Sequence, residues 1–213
     1  MNALYEDEVL KNITFQKIQK NELNQFTEFV FKSYSFHYNK KYKWRSTSKD
    51  LEEMKYQDKL YFDNSFYVKC SYENQIIGTM KISLQKSQQF PIEYEFGIDL
   101  EELIQKKEIS NPKIWHLGRL AIDTKFIKNN NLPITSKKII CSLLNLCLLQ
   151  TKKYEQSIII AESDNLIFQI FHEIGLEMEI VGDIQNCLGS PTYPVFISQE
   201  KISNWLTNYN IHE

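Results

Sequence analysis

The sequence predicts a mixed α/β sheet flanked by helices, and three features carry that prediction. Residues 65–71 and 76–84 are alternating apolar runs joined by Tyr72-Glu73-Asn74-Gln75, the pattern of an antiparallel hairpin. Residues 114–123 and 156–161 are buried-strand runs separated by an amphipathic helical stretch, which reads as a β-α-β crossover with parallel strands. Among 213 residues, Gly 6 and Pro 5 are few, while 42% are hydrophobic and 24% charged, so most of the chain should be packed structure. That length favours a single domain, 1–213, with its own core.

The elements follow in order. Residues 13–18 read as a first strand. Asn21-Glu22 then opens a helix with Leu23, Phe26, Phe29, Val30 and Tyr34 on one face. Residues 35–50 are aromatic, basic and irregular, and a short charged helix over 51–56 follows. After the hairpin, residues 85–113 carry Pro91 and Pro112 around a short helix near 100–106, an excursion between strands. The strand 114–123 leads through the polar loop 129–133 into the strongest helix, capped by Thr135 or Ser136 and apolar from Ile139 to Leu149. Strand 156–161 is followed by a helix capped by Ser163 or Asp164. Leu166, Ile167, Ile170, Phe171 and Ile174 face inward there, and Gly175 ends it. Strands over 176–181 and 193–198 and a helix over 199–206 complete the chain, without an internal repeat.

Charge and cysteine usage exclude several classes. Lys+Arg 25 against Asp+Glu 27 gives a net charge of −2, with no basic stripe of the kind nucleic-acid phosphates require. Pairs such as Lys40–Lys41 and Lys137–Lys138 read as solvated faces. Cys70, Cys141, Cys147 and Cys187 form no CxxC pair, so neither a metal site nor a disulfide framework is expected. The N-terminus is acidic where a signal peptide is basic, and Ile139–Leu149 is too short to span a bilayer. The expectation is a soluble cytoplasmic protein with no membrane span.

The segment Trp115-His116-Leu117-Gly118-Arg119-Leu120-Ala121-Ile122-Asp123 carries the chemistry. A glycine inside a buried strand marks a bulge or a close backbone approach. In a regular strand His116, Gly118 and Leu120 share one face, and a bulge at Gly118 would bring His116 and Arg119 to one side. A bulged strand can splay from its neighbour and leave backbone groups free for an extended ligand. One such N–H aimed at a carbonyl stabilises an oxyanion as a thioester is attacked.

This order of elements resembles the GNAT N-acyltransferase superfamily: a hairpin, a bulged fourth strand, a helix, a fifth strand and a helix ending in a glycine motif. Asn165-Leu166-Ile167-Phe168-Gln169-Ile170-Phe171-His172-Glu173-Ile174-Gly175-Leu176 is similar to the family's Asn…Tyr…Gly-Phe signature. Within the superfamily the chain most resembles autoinducer synthases and long-chain N-acyl amino acid synthases. Their Glu-x-x-Arg-Leu-Ala-Val run is matched by His116-Leu117-Gly118-Arg119-Leu120-Ala121-Ile122, and their late strand by Pro191-Thr192-Tyr193-Pro194-Val195-Phe196-Ile197.

The resemblance implies a GNAT-like mixed sheet with a splayed fourth strand and transfer of an acyl group from a thioester to a small amine. It implies no permanently bound cofactor and no metal, and a co-substrate of acyl-ACP or acyl-CoA. Residues 126–135 hold none of the family's pyrophosphate-binding glycines, which favours acyl carrier protein over CoA as partner. His116 stands where the synthases have a carboxylate, and a neutral imidazole is a competent base for an ammonium acceptor. Phe171 stands where many acetyltransferases have a thiolate-protonating tyrosine, and Lys81 where the family has arginine.

The implied site is therefore His116 and Arg119 as catalytic residues, with Gly118, Leu120, Ala121 and Ile122 along the pantetheine. Plainer roles stay open: His116 as a hydrogen-bonded core residue, and Arg119 as a structural partner of Asp58, Asp63 or Glu162. The aromatic set from Phe29 to Trp44 reads as core rather than acyl tunnel. His37 and His172 fit no cluster. An acetyl-CoA-dependent acetyltransferase and a non-catalytic binding module are the competing functions.

Overall fold

Every predicted strand needs partners for its backbone N–H and C=O groups. The computed structural model, which describes residues 12–211, supplies them in an eight-stranded sheet. The strands are β1 (Ile13–Lys17), β2 (Ser65–Tyr72), β3 (Gln75–Leu84), β4 (Lys113–Ile122), β5 (Ser157–Asp164), β6 (Glu179–Ile180), β7 (Gln185–Cys187) and β8 (Ser190–Ile197). Their order is β1-β2-β3-β4-β5-β8-β6, with β7 beside β8. The pair β4–β5 is parallel, as the crossover predicts, while β1–β2, β5–β8, β6–β8 and β7–β8 are antiparallel. The helices are α1 (Leu23–Tyr42), α2 (Ser48–Tyr61), α3 (Pro91–Tyr94), α4 (Leu100–Lys106), α5 (Thr124–Asn129), α6 (Ser136–Leu148), α7 (Asn165–Glu173) and α8 (Gln199–Ile211). None of the described helices is long and apolar enough to cross a membrane.

The chain divides into two compact units, and β3 and β4 each run from one into the other. The first holds the residues up to Lys81 together with Arg119–Cys147. Its core joins Leu23, Phe26 and Val30 of α1 to Ile18, Tyr67 and Ala121, with Phe29, Tyr34, Met54 and Phe62 packed against them. Phe26 meets the Tyr67 ring edge-on at 5.2 Å. Burying a side chain of this size contributes about 1.5–3 kcal/mol. Phe29 and Tyr34 thus belong to the core, as read from the sequence.

Residues 35–50 are irregular only over 43–47. α1 continues to Tyr42 and ends at Lys43, which takes the left-handed conformation with φ +59°. α2 starts at Ser48 rather than 51, because Thr47 and Asp50 cap it reciprocally: the Thr47 N–H donates to Asp50 Oδ2 at 2.7 Å and the Asp50 N–H to Thr47 Oγ1 at 3.3 Å. The aromatic residues that obscured the helix meet along it, Tyr34 edge-on to Tyr38 with centroids 5.7 Å apart. Between β4 and the polar loop expected over 129–133 stands α5, capped by Asp123, whose carboxylate accepts from the Phe126 N–H at 2.8 Å.

The second unit holds Ile82–Gly118 and the chain from Leu148 onward. α4 occupies the predicted residues. α7 is capped by Asp164, accepting from the Ile167 N–H at 2.8 Å. It ends at Gly175, φ +85°, where the Leu176 N–H reaches back to the Phe171 carbonyl at 2.9 Å in a Schellman arrangement. Leu166, expected to face inward, is 46% exposed, whereas Phe171 is buried. Leu166 sits about 100° around the helix from Ile167, at the edge of the apolar stripe.

The strand expected over 176–181 shrinks to β6, and an unpredicted hairpin joins β7 to β8. Its turn residues Leu188 and Gly189 both have positive φ, +53° and +78°, as a two-residue primed turn requires. Leucine is a rare occupant of that conformation, so no turn signal marked it.

Candidate active site

β4 departs from a regular strand where the sequence placed a glycine. Its parallel pairing with β5 covers Lys113–His116 against Ser157–Ile160 and stops there, while β5 continues along β8 to Asp164. The left-handed residue is Arg119, φ +56°, rather than Gly118. A non-glycine residue in that region costs about 1–2 kcal/mol, so the surroundings must hold it. Thr79 Oγ1 does so in part, donating to the Arg119 carbonyl at 3.0 Å. Gly118 has a different reason: a Cβ there would stand 3.3 Å from His116 Cε1. The glycine makes room for the imidazole.

In the second unit, His116 is buried, its side chain 8% exposed. Phe90 stacks on one face of the ring, centroids 4.9 Å apart and planes 21° apart. The His116 Nε2 lies 2.8 Å from Glu162 Oε2. His116 pairs in register with Ile160, so Glu162, two residues further along β5, points to the same face. The opposite ring nitrogen, Nδ1, is buried with no hydrogen-bond partner among the described residues. Glu95 lies close by: desolvation and the Glu162 charge push its carboxyl up. Burial, with Glu95 and Glu162 adding to it, also pushes up the Cys187 thiol.

In the first unit, Arg119 answers to Asp58, which is fully buried. The Arg119 Nε donates to Asp58 Oδ1 at 2.9 Å, Thr27 Oγ1 donates to Oδ2 at 2.8 Å and the Tyr67 hydroxyl to Oδ1 at 3.1 Å. Lys81 Nζ lies 3.8 Å from the same carboxylate and over the Tyr61 and Tyr67 rings. Burial pushes the Asp58 carboxyl up, but the Arg119 and Lys81 charges with the Thr27 and Arg119 hydrogen bonds outweigh it and hold it below the usual carboxylate range. Of the three acids considered for Arg119, Asp58 is therefore the partner, whereas Asp63 lies at the surface beside Lys20. The Arg119 guanidinium is held to the protein through Nε.

His116 and Arg119 thus each have a carboxylate of their own, and Glu162 serves the histidine instead of the arginine. Glu162 was legible only as the acid following the apolar run of β5. Of the residues expected along the thioester, Ala121 and Ile122 are buried, and Gly118 and Leu120 half-buried. Cys70 and Cys147 are inert packing: burial pushes the Cys70 thiol up to about 12 and the Cys147 thiol also upward. A cavity of about 440 Å³ in the first unit, at the end of β4, is lined by Phe29, Ile76 and Ile122 with Lys32, His37 and Lys125.

These features define a GNAT-like fold: a mixed sheet whose fourth strand is kinked and only partly paired to the fifth. Solved structures share it. FeeM, an N-acyl amino acid synthase from uncultured soil microbes, superposes with a TM-score of 0.67 at 11% identity, over 91% of this chain and 93% of FeeM. The AHL synthase LasI superposes with a TM-score of 0.58 at 13% identity, over 92% of this chain and 95% of LasI. BjaI, a CoA-dependent acyl-homoserine lactone synthase solved with SAM and isopentyl-CoA, gives 0.53 at 11% identity, over 93% and 89%. No protein-family model matches the sequence, and no curated protein does.

Proposed function

We propose that the chain is an N-acyltransferase that moves a fatty acyl group from a carrier thioester to the amino group of a small acceptor such as an amino acid. The observation that carries this reading is the unpartnered, buried Nδ1 of His116, two residues before Gly118 on a strand whose pairing with β5 has just ended. A buried acceptor nitrogen without a donor is costly unless a ligand supplies the proton. The resemblance to N-acyl amino acid and acyl-homoserine lactone synthases supplies the reaction class.

In this mechanism His116 takes a proton from the acceptor ammonium, and the freed amine attacks the thioester carbonyl. A backbone N–H near Leu120 stabilises the oxyanion, with the pantetheine lying along Gly118, Leu120, Ala121 and Ile122 as an added strand. Collapse breaks the C–S bond, and the thiolate takes up the second nitrogen proton through solvent. Phe171, buried in α7, is no acid for that step, but a thiol with pKa near 8.5 leaves without one. The guanidinium charge of Arg119 suits the carboxylate of an amino-acid acceptor.

Acyl carrier protein is the favoured donor over acyl-CoA. The helix starts after β4 are occupied by the chain's own groups: Asp123 accepts from the Phe126 N–H and Thr135 Oγ1 from the Lys138 N–H at 3.1 Å. A capping carboxylate there also repels a pyrophosphate.

Phe171 favours one second reading, a non-catalytic thioester-binding module, identified by thioester binding without product. The test is mass spectrometry of organic extracts from bacteria expressing the wild type, His116→Ala or an empty vector. A series of N-acyl species confined to the wild type is expected. The same series from His116→Ala would remove His116 as the base, and no new lipid from well-folded wild type would refute the activity.

A further inference from the structure

The role of His116 as base, on which this inference rests, requires that one particular ring nitrogen be free. We infer that Glu162 is its positioning residue: the carboxylate holds the imidazole proton on Nε2 and so presents Nδ1 as the lone pair that accepts the ammonium proton.

Three observations converge on this. The Nε2–Oε2 separation of 2.8 Å is that of a charge-assisted hydrogen bond, and an ionised carboxylate can only accept, so the proton belongs to Nε2. The alternative tautomer would set a lone pair against the carboxylate and leave a buried Nδ1–H without an acceptor. The ring is also fixed in orientation. Phe90 covers one face, and the Cε1–Nδ1 edge lies against Gly118, where a Cβ would stand 3.3 Å from Cε1 and 3.8 Å from Nδ1.

When Nδ1 takes its proton, the imidazolium becomes the ion-pair partner of Glu162. Both side chains are largely buried, 8% and 16% exposed, so screening of that pair by water is limited. Glu95, which follows α3, and Cys187 on β7 also feel the Glu162 charge. The Glu162 carboxylate is the charge that answers the imidazolium.

The test combines product yield with a direct view of the tautomer. Protein labelled with ¹⁵N at histidine contains four such residues, and His116→Ala identifies the signals of His116. Wild type is expected to show Nε2 protonated and Nδ1 bare. Glu162→Gln matches the shape but removes the charge and can present either end of its amide. It is expected to lose that tautomer preference and about 10²-fold of the N-acyl product per milligram of soluble protein, with an unchanged melting profile.

A wild-type imidazole protonated on Nδ1 would overturn the assignment whatever the activity. So would a Glu162→Gln protein that keeps both the wild-type tautomer and the wild-type yield. If wild type makes no N-acyl product but shows the Nε2 proton and loses it in Glu162→Gln, the acyltransferase reading fails and the role of Glu162 in orienting His116 stands.

Discussion

Asp58→Ala tests the first unit's arrangement most directly. The carboxylate is fully buried and receives Arg119 Nε at 2.9 Å, Thr27 at 2.8 Å and Tyr67 at 3.1 Å, with Lys81 at 3.8 Å. Truncation strands two cations beside a cavity, while the Thr27 and Tyr67 hydroxyls keep the Leu23 and Asp58 backbone carbonyls as acceptors. Breaking a buried pair from one side costs about 3–5 kcal/mol. That is a large share of the roughly 5–15 kcal/mol that a domain has in total. At about 2–4 °C per kcal/mol for a chain of this size, the melting temperature should fall by about 10 °C.

Urea unfolding gives the free energy, and the cycle with Arg119→Gln gives the coupling. The double variant should be more stable than the sum of the singles predicts, by at least about 1 kcal/mol, since removing the guanidinium removes part of the stranded charge. The pH dependence has a defined sign. The folded Asp58 carboxyl is held below its unfolded value, near 3.9. Its contribution is therefore complete above that value and lost as pH falls through the folded pKa. Asp58→Asn should lack that part of the acid limb. A loss below about 1 kcal/mol in Asp58→Ala, or additivity in the cycle, would refute a paired buried cluster.

Two further substitutions probe close contacts. Gly118→Ala places a methyl 3.3 Å from His116 Cε1, so the ring must give by a few tenths of an ångström; N-acyl product should drop by about tenfold while the melting temperature moves little, read from extracts and thermal melts. Gly78→Ala puts a Cβ 2.7 Å from Ile139 Cγ2 and 3.0 Å from Ile122 Cδ1, where strand β3 meets α6, and should cost about 1–3 kcal/mol in urea unfolding, a value near zero showing that the helix can retreat.

Local signals reached far into this fold. Alternation marked the hairpin of β2 and β3, and Asp164 with Gly175 bounded α7 through a cap and a left-handed stop whose physics is confined to a few neighbouring residues. The kink in β4 was also legible, but its place was not. Gly118 signalled it, whereas the left-handed φ belongs to Arg119, held by the Thr79 hydroxyl and by the buried Asp58. Helix α1 was cut short for a related reason: a run of aromatic residues has little helical preference of its own, and edge-on ring contacts such as Tyr34 to Tyr38 form only along the completed helix.

By itself the sequence determined the order of the longer elements, the β-α-β crossover and the placing of His116 and Arg119 on one strand, because periodicity and caps are encoded within a few residues of where they act. Only the tertiary structure decided which carboxylate each of them receives. Asp58 is 61 positions from Arg119 and Glu162 is 46 from His116, and separations of that size are closed by strand register and burial, which no local pattern carries. The orientation of the imidazole, with Nε2 on Glu162 and Nδ1 beside Gly118, is the product of that closure.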